Sequence, residues 1–289
     1  MKLSLCIATF NEEKNIHYPL DSAYDLADEV IIVDGGSTDK TVEGAKKYGK
    51  KISVIIADNP AMFHKNKEKA IEAAKGEWIL QLDADEALSE ELKKEIEQII
   101  AIDSVARDAS LLRASPMKTG IRFSESHLTR DTYRNNVAYW VPRKNWFLSR
   151  FLTKGGQYPD YTIRLYKNGV AHFPCKSVHE NVDVTGTVGY LKNPILHYAD
   201  PNFSRYLLRW DRYNNLEAEI LKKKIKDQKS KIKNLQYFFD YLLIRPPVTF
   251  FSMYFRHLGL VDGLPGFIFA LFSSIRFWAI YVKTIQHTN

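Results

Sequence analysis

Cysteine is nearly absent from this chain. Its two copies, Cys6 and Cys175, lie far apart and lack metal-ligand spacing, which excludes a disulfide framework. The N-terminus offers one Lys and a short apolar run broken at Asn11-Glu12-Glu13-Lys14, without the length or cleavage site of a secretory leader. A reducing cytoplasm is therefore the expected compartment. No Gly-x-Gly-x-x-Gly follows the first apolar run, which argues against a dinucleotide-binding or flavodoxin-like protein. Long uncharged apolar runs are scarce too. The longest, Gly266 to Val282, meets only the lower limit of the roughly 17–25 residues that cross a bilayer, and Arg276 lies inside it.

What is present is an ordinary apolar content of 45% in 289 residues, enough for one large domain or two smaller ones. The net charge of +7 is unevenly placed. Residues 201–289 hold 14 Lys and Arg against 6 Asp and Glu, whereas residues 1–200 are balanced at a net −1. This divides the chain into an electrically neutral part, 1–200, and a basic part, 201–289. The basic part calls for an anionic partner, either nucleic acid or a membrane surface.

Apolar runs alternate with helical patterns through the first hundred residues. Strands are expected at Leu3–Thr9, Glu29–Val33, Ile52–Ala57 and Glu77–Leu82. Helices are expected from about Glu12 to Leu26, after a Ser37 or Thr38 cap, from Phe63 to Lys75, and from a Ser89 cap to about Ile102. That alternation predicts an α/β fold with a mainly parallel sheet, whose ligands sit beyond the carboxyl ends of the strands. Those ends carry Thr9-Phe10-Asn11-Glu12, Asp34-Gly35-Gly36, Asp58-Asn59 and Asp83-Ala84-Asp85-Glu86. In a strand, residues two apart point the same way, so Asp83 and Asp85 share a target if the strand continues through them. Carboxylates at the end of a buried strand are costly without a cation, and hard oxygen ligands suit Mg²⁺ or Mn²⁺ on a substrate's phosphates. The plainer alternative is a polar turn with one of the two capping the next helix.

Beyond residue 110 the pattern loosens. Leu111–Pro116 and Val137–Val141 read as strands, and residues 118–160 otherwise scatter arginines among aromatics. Tyr161–Lys167 and Val170–Phe173, about an Asn168-Gly169 turn, resemble a hairpin. Arg164 is placed either on a phosphate or in a pair with Asp160 across that hairpin. From Pro201 the pattern is helical: Phe203–Lys226, Tyr237–Ile244 and Pro247–Leu260, broken by Pro246-Pro247, then Gly266–Val282. Basic and aromatic residues concentrate there together, which predicts a helix lying in a membrane interface rather than a nucleic-acid surface. The competing readings are a helical subdomain packed on the core and an oligomer contact.

Three blocks carry a resemblance: Ala8-Thr9-Phe10-Asn11-Glu12-Glu13, Val33-Asp34-Gly35-Gly36-Ser37-Thr38-Asp39-Lys40-Thr41, and Ala74-Lys75-Gly76-Glu77-Trp78 running into Leu82-Asp83-Ala84-Asp85-Glu86. They resemble the family 2 inverting glycosyltransferases of GT-A fold. Tyr158-Pro159-Asp160, Arg164-Leu165-Tyr166, Val178-His179-Glu180 and Leu260-Val261-Asp262-Gly263-Leu264-Pro265-Gly266 are similar to the lipopolysaccharide-core glucosyltransferase branch. The resemblance implies a hexosyltransferase taking a nucleoside diphosphate sugar, with a UDP-linked donor expected, and using Mn²⁺ or Mg²⁺. In it Thr9, Asn11 and Glu12 edge the nucleotide base, Asp34 hydrogen-bonds it, Asp58 lies nearby, and Lys67 stands at the diphosphate. Glu68 replaces the Asn usual in that branch. Asp83 contacts ribose or metal, and Asp85 holds the metal. Glu180 is the expected general base with Asp160 as the second choice, while His179 is either a third metal ligand, an orienter of Glu180 or a structural histidine. The implied acceptor is a lipid-linked or anionic glycan such as lipopolysaccharide core, reached by a protein peripheral on the inner face of the cell membrane. Polyprenyl phosphate, a peptide side chain, or non-catalytic nucleotide-sugar binding at a membrane are the alternatives.

Overall fold

The computed structural model of the protein describes residues 1–60, 62–113, 135–175, 181–200, 202–227 and 231–286. These fall into two compact units, 1–143 with 161–197, and 144–160 with 198–289.

The first unit is built on a parallel core of β1 (Leu3–Thr9), β2 (Glu29–Asp34), β3 (Ile52–Ile56) and β4 (Trp78–Asp83), in the spatial order β3-β2-β1-β4. All three adjacent pairs are parallel, so the four carboxyl ends share one edge. Side chains of β1 alternate between two buried layers. Leu3, Leu5 and Ile7 face the layer of Leu20 on α1 (His17–Ala23) and Leu92 and Ile96 on α4 (Glu90–Arg113). Cys6, from the same strand, faces Ala70 and Ile71 on α3 (His64–Glu72). A sheet buried on both faces explains why these strands read as unbroken apolar runs. A short α2 (Thr41–Lys46) links β2 to β3.

Beyond β4 the sheet becomes mixed. It continues through β8 (Asp160–Lys167), β6 (Ala138–Phe147), β12 (Ile195–Asp200) and β5 (Glu86–Leu88), with β8 antiparallel to β4 and β12 antiparallel to β5. β11 (Val188–Tyr190) adds to β6 in parallel. The expected hairpin of Tyr161–Lys167 with Val170–Phe173 is not formed. β8 pairs with the core strand instead, and β9 (Ala171–His172) pairs with β10 (Asp183–Val184) in a separate ribbon. The expected strand at Leu111–Pro116 is also corrected, because α4 runs on to Arg113. Residues 90–113 contain neither Gly nor Pro to stop it.

The second unit is mostly helical, with β7 (Arg150–Phe151) paired to the end of β6. Its helices are α5 (Phe203–Asp227), α6 (Lys231–Phe239), α7 (Arg245–Phe251) and α8 (Gly263–Gln286). A π-helical turn at Asp240–Ile244 joins α6 to α7. Pro246-Pro247 therefore do not break the path. They occupy the first turn of α7, where a missing N–H costs nothing. α8 extends three residues before and four beyond the expected Gly266–Val282. Its polar groups turn inward: Ser274 donates to the Pro246 carbonyl at 2.6 Å, and Thr284 to that of Ala218 at 3.3 Å.

Candidate active site

The carboxyl edge begins with Thr9, the last residue of β1, in register with Asp34 at the end of β2. Thr9 Oγ1 is buried without a hydrogen-bond partner. Asp34 folds the following turn around itself. Its Oδ2 accepts the N–H groups of Gly36 and Ser37 at 3.0 and 2.8 Å, and its Oδ1 accepts the Ser37 hydroxyl at 2.5 Å. Gly36 has φ +79°, a left-handed conformation that only glycine adopts without strain. Asn11 closes the rim by donating its N–H to Ser37 Oγ and accepting that of Thr38, both at 2.8 Å. The Glu12 carboxylate accepts from Asn15 at 2.5 Å. Ser37 and Thr38 thus serve this rim and not the cap of α2; the Asp39 carboxylate accepts the Thr41 N–H at 3.0 Å instead. Asp58 is exposed just past β3, its carbonyl held by Asn66 of α3 at 2.8 Å.

Below the end of β4 lies a buried charge cluster. Asp83 Oδ1 meets Lys67 Nζ at 2.5 Å, and Oδ2 meets an Arg164 nitrogen at 2.6 Å. The same Arg164 nitrogen reaches Glu86 at 2.7 Å, while the other donates to Gln81 at 2.5 Å. Arg143 adds a contact to Glu86 at 3.2 Å. Glu86 is fully buried, and its second oxygen accepts the Asp83 N–H at 3.0 Å. Among the described residues, Lys67, Arg143 and Arg164 thus gather around Asp83 and Glu86. Burial alone would raise the Asp83 carboxyl, but Arg164 and Lys67 outweigh it and hold the group well below the usual carboxylate range. Burial, aided by Arg164, pushes the Lys67 amine down against the attraction of Asp83. Lys67 lies over the rings of Phe63 and Phe173, 5.2 and 5.9 Å from their centroids.

This arrangement corrects one expectation. Arg164 pairs with Asp83 and Glu86, not with Asp160, because β8 lies against β4 and brings Arg164 to the DAD end of that strand. Both Asp83 oxygens accept from cations, Lys67 and Arg164. Asp85 instead stands 3.6 Å from the imidazole of His197. His197 is brought there by strand pairing, since it lies opposite Glu86 in the β12–β5 register. Glu68, at the position where Asn was expected, accepts the Phe173 N–H at 2.7 Å and so anchors the chain beside Lys67. Asp160 is half-buried, with Asn145 donating to it at 3.3 Å. His179 and Glu180 lie outside the described residues.

A carboxylate and an imidazole this close are donors that Mn²⁺ accepts, and Mg²⁺ sites on phosphates use one or two protein carboxylates with substrate oxygens filling the shell. Asp85 and His197 fit that role. Among the described residues no group of three or more His, Cys, Asp or Glu is gathered for a metal cage.

The sequence matches the family model for glycosyl transferase family 2 over residues 4–171. An uncharacterised glycosyltransferase of Rickettsia conorii is 27% identical across 100% of this chain and 93% of its own length. The lipopolysaccharide core biosynthesis glycosyltransferase LpsC of Rhizobium meliloti is 25% identical across 99% of this chain and 93% of its own. Among solved structures, residues 1–349 of Staphylococcus aureus TarS in complex with UDP align with 99% of this chain and 88% of that one, at 15% identity and a TM-score of 0.43.

Proposed function

The chain belongs to glycosyl transferase family 2 and is a glycosyltransferase of GT-A fold; from that premise we propose that it moves a hexose, with inversion, from a UDP-linked donor to a hydroxyl of a lipid-linked glycan such as lipopolysaccharide core. The observation that supports this reading is the shared carboxyl edge of β1, β2 and β4, with a cationic floor beneath it. A nucleotide diphosphate is an anion with a planar base, and the edge offers a counterpart to each. Thr9, Asn11, Glu12, Asp34 and Asp58 would frame the base and ribose. The positive groups Lys67, Arg143 and Arg164 favour charge developing on the departing diphosphate, as preorganised electrostatics do.

Asp85 and His197 would hold Mn²⁺ or Mg²⁺, whose chemistry when bound is to neutralise leaving-group oxygens. The chain's own part in the displacement is to remove the proton from the acceptor hydroxyl as that oxygen attacks the anomeric carbon. The base is Glu180, with Asp160 as its alternative. The relative LpsC acts, by its name, in lipopolysaccharide core biosynthesis, which supports that acceptor class over polyprenyl phosphate or a peptide side chain. The basic second unit supports action at the inner face of the cell membrane as a peripheral protein.

The test is turnover by the purified chain with UDP-hexoses, Mn²⁺ and core glycolipid. Release of UDP with a β-linked product from an α-linked donor is the expected result. Absence of nucleoside diphosphate release with every nucleotide sugar tried would refute catalysis and leave only a binding role. Glu180→Gln should lose transfer; full activity there, with loss in Asp160→Asn, moves the base to Asp160.

A further inference from the structure

The turn joining α7 to α8 is apolar where turns are ordinarily polar. After the π-helical residues Ser252–Arg256, it exposes Phe255, Leu258, Leu260, Val261 and Leu264, the last at 69%. Leu258 adopts φ +58°, a conformation suited to Gly or Asn and costly for a leucine. A large apolar side chain is thus kept in water and in a strained backbone when a smaller polar residue would relieve both. The apolar surface continues up the preceding helix through Phe251, Val248 and Leu243, spaced at helical intervals.

Around this tip the charge is of one sign. Arg256, Lys154 and Arg150 are exposed beside it, and Arg150 donates to the Val261 carbonyl at 3.5 Å. The one carboxylate of the turn, Asp262, is fully buried and pairs with Arg150 at 3.7 Å. It accepts the N–H groups of Thr153 and Lys154 at 2.9 and 2.8 Å and the Thr153 hydroxyl at 2.9 Å. Residues Gly259–Gln286 have, in their most apolar 18-residue stretch, a mean hydropathy of 1.5, long and apolar enough to cross a membrane by length and composition. However, Arg276 within that stretch has its Nε buried inside the protein, and the helix packs on α5 and α7.

We propose that the 255–264 tip is the membrane-docking element, set into the headgroup layer of an anionic bilayer with Lys154 and Arg256 on the lipid phosphates. This deepens the membrane partnership proposed above and rests on it. It names the inserting segment as the α7–α8 turn, not the middle of the last helix. Apolar residues that dip to the acyl boundary, ringed by cations, are how interfacial proteins hold a surface. The one-signed rim selects lipid over a second copy of the chain, since two such rims would repel each other.

The test is flotation of the full chain with vesicles of phosphatidylcholine alone or mixed with phosphatidylglycerol. The two basic side chains Lys154 and Arg256 near the surface predict about a thirtyfold stronger partition into the anionic vesicles, weakening as salt is raised. Leu260→Glu with Leu264→Glu should abolish binding, with donor hydrolysis in solution unchanged. Lys154→Gln with Arg256→Gln should remove the preference for anionic lipid. As a readout independent of any loss of folding, Leu264→Trp should add fluorescence quenchable by brominated lipid. Equal partition into both vesicles, no added quenching, or a dimer in solution that Leu264→Glu dissociates would overturn the proposal. Loss of donor turnover with vesicle binding intact would instead be a failure of the transferase reading.

Discussion

Removing the charge of Glu86 tests whether the cluster under β4 is held as the geometry says. Glu86→Gln preserves shape, but it takes the Glu86 charge away from Arg143 and Arg164 and leaves Asp83 as the carboxylate beside Arg164 and Lys67. Glu86 is fully buried, so water cannot take over its role. Breaking a buried pair from one side costs about 3–5 kcal/mol, because the other side keeps an uncompensated charge. The new amide must also present its NH₂ either to the Asp83 N–H or to a guanidinium, and both are donors. About 3–5 kcal/mol is a large share of the ~5–15 kcal/mol that typically separates folded from unfolded chains. The assay is urea denaturation followed by tryptophan fluorescence, since Trp78 lies in the same strand as the cluster. Adding Arg143→Gln removes a cation that Glu86 had faced and should recover part of the loss, with a coupling of about 0.5–3 kcal/mol. A single-variant loss below about 1 kcal/mol, or strict additivity in the pair, would refute the claim that these charges are balanced against one another.

The Asp83 carboxyl titrates in the folded protein well below the usual range. Between that value and its unfolded value near 4 the unfolded chain binds more protons, so its contribution is fully present above about pH 4 and disappears as pH falls through the folded value. Asp83→Asn should accordingly flatten the acid limb of stability against pH below about 4; an unaltered limb contradicts the shift. His197→Ala should weaken Mn²⁺ binding at least about tenfold in an EPR titration without unfolding the chain, and an unchanged affinity removes His197 from the site. In the second unit, a Cβ at Gly266 would sit 2.1 Å from the Gly259 carbonyl oxygen. Gly266→Ala should therefore cost about 1–3 kcal/mol or more in thermal or urea unfolding, and a neutral variant would show that the turn is not packed as described.

The parallel half of the fold was legible because it is written locally. Four apolar runs punctuated by Gly, Asp and Asn give strand, turn and helix within about 25 residues of each other, and the observed pairs β1–β2, β2–β3 and β1–β4 follow that order. The antiparallel additions were not written that way. β8 reaches β4 across more than 80 residues, and no periodicity inside either strand names its partner. The same holds for β9, whose short run could fold back on β8 or, as happens, take β10. The α4 boundary was misread for a different reason. Leu111-Leu112 is an apolar pair too short for periodicity to tell strand from helix.

The candidate site divides along the same line. Thr9, Asn11, Asp34 and Asp85 sit at strand ends whose positions follow from local pattern, so the carboxyl edge could be drawn from the sequence. His197 could not, because its place beside Asp85 is an accident of register across 112 residues: it is opposite Glu86, and Asp85 is the next residue along. A one-residue slip in the β12–β5 pairing would turn His197 to the other face of the sheet, since side chains alternate. That register is fixed by apolar burial, with Ile195 opposite Leu88 and both in the core. The same pairing that fills the core with Ile195 therefore delivers an imidazole to the carboxylate, and packing of β12 and metal affinity should fail together. Ile195→Asn ought to lower Mn²⁺ binding as well as stability, although the residue is two positions from the ligand. Stability lost with metal affinity intact would show that something other than strand register holds His197 in place.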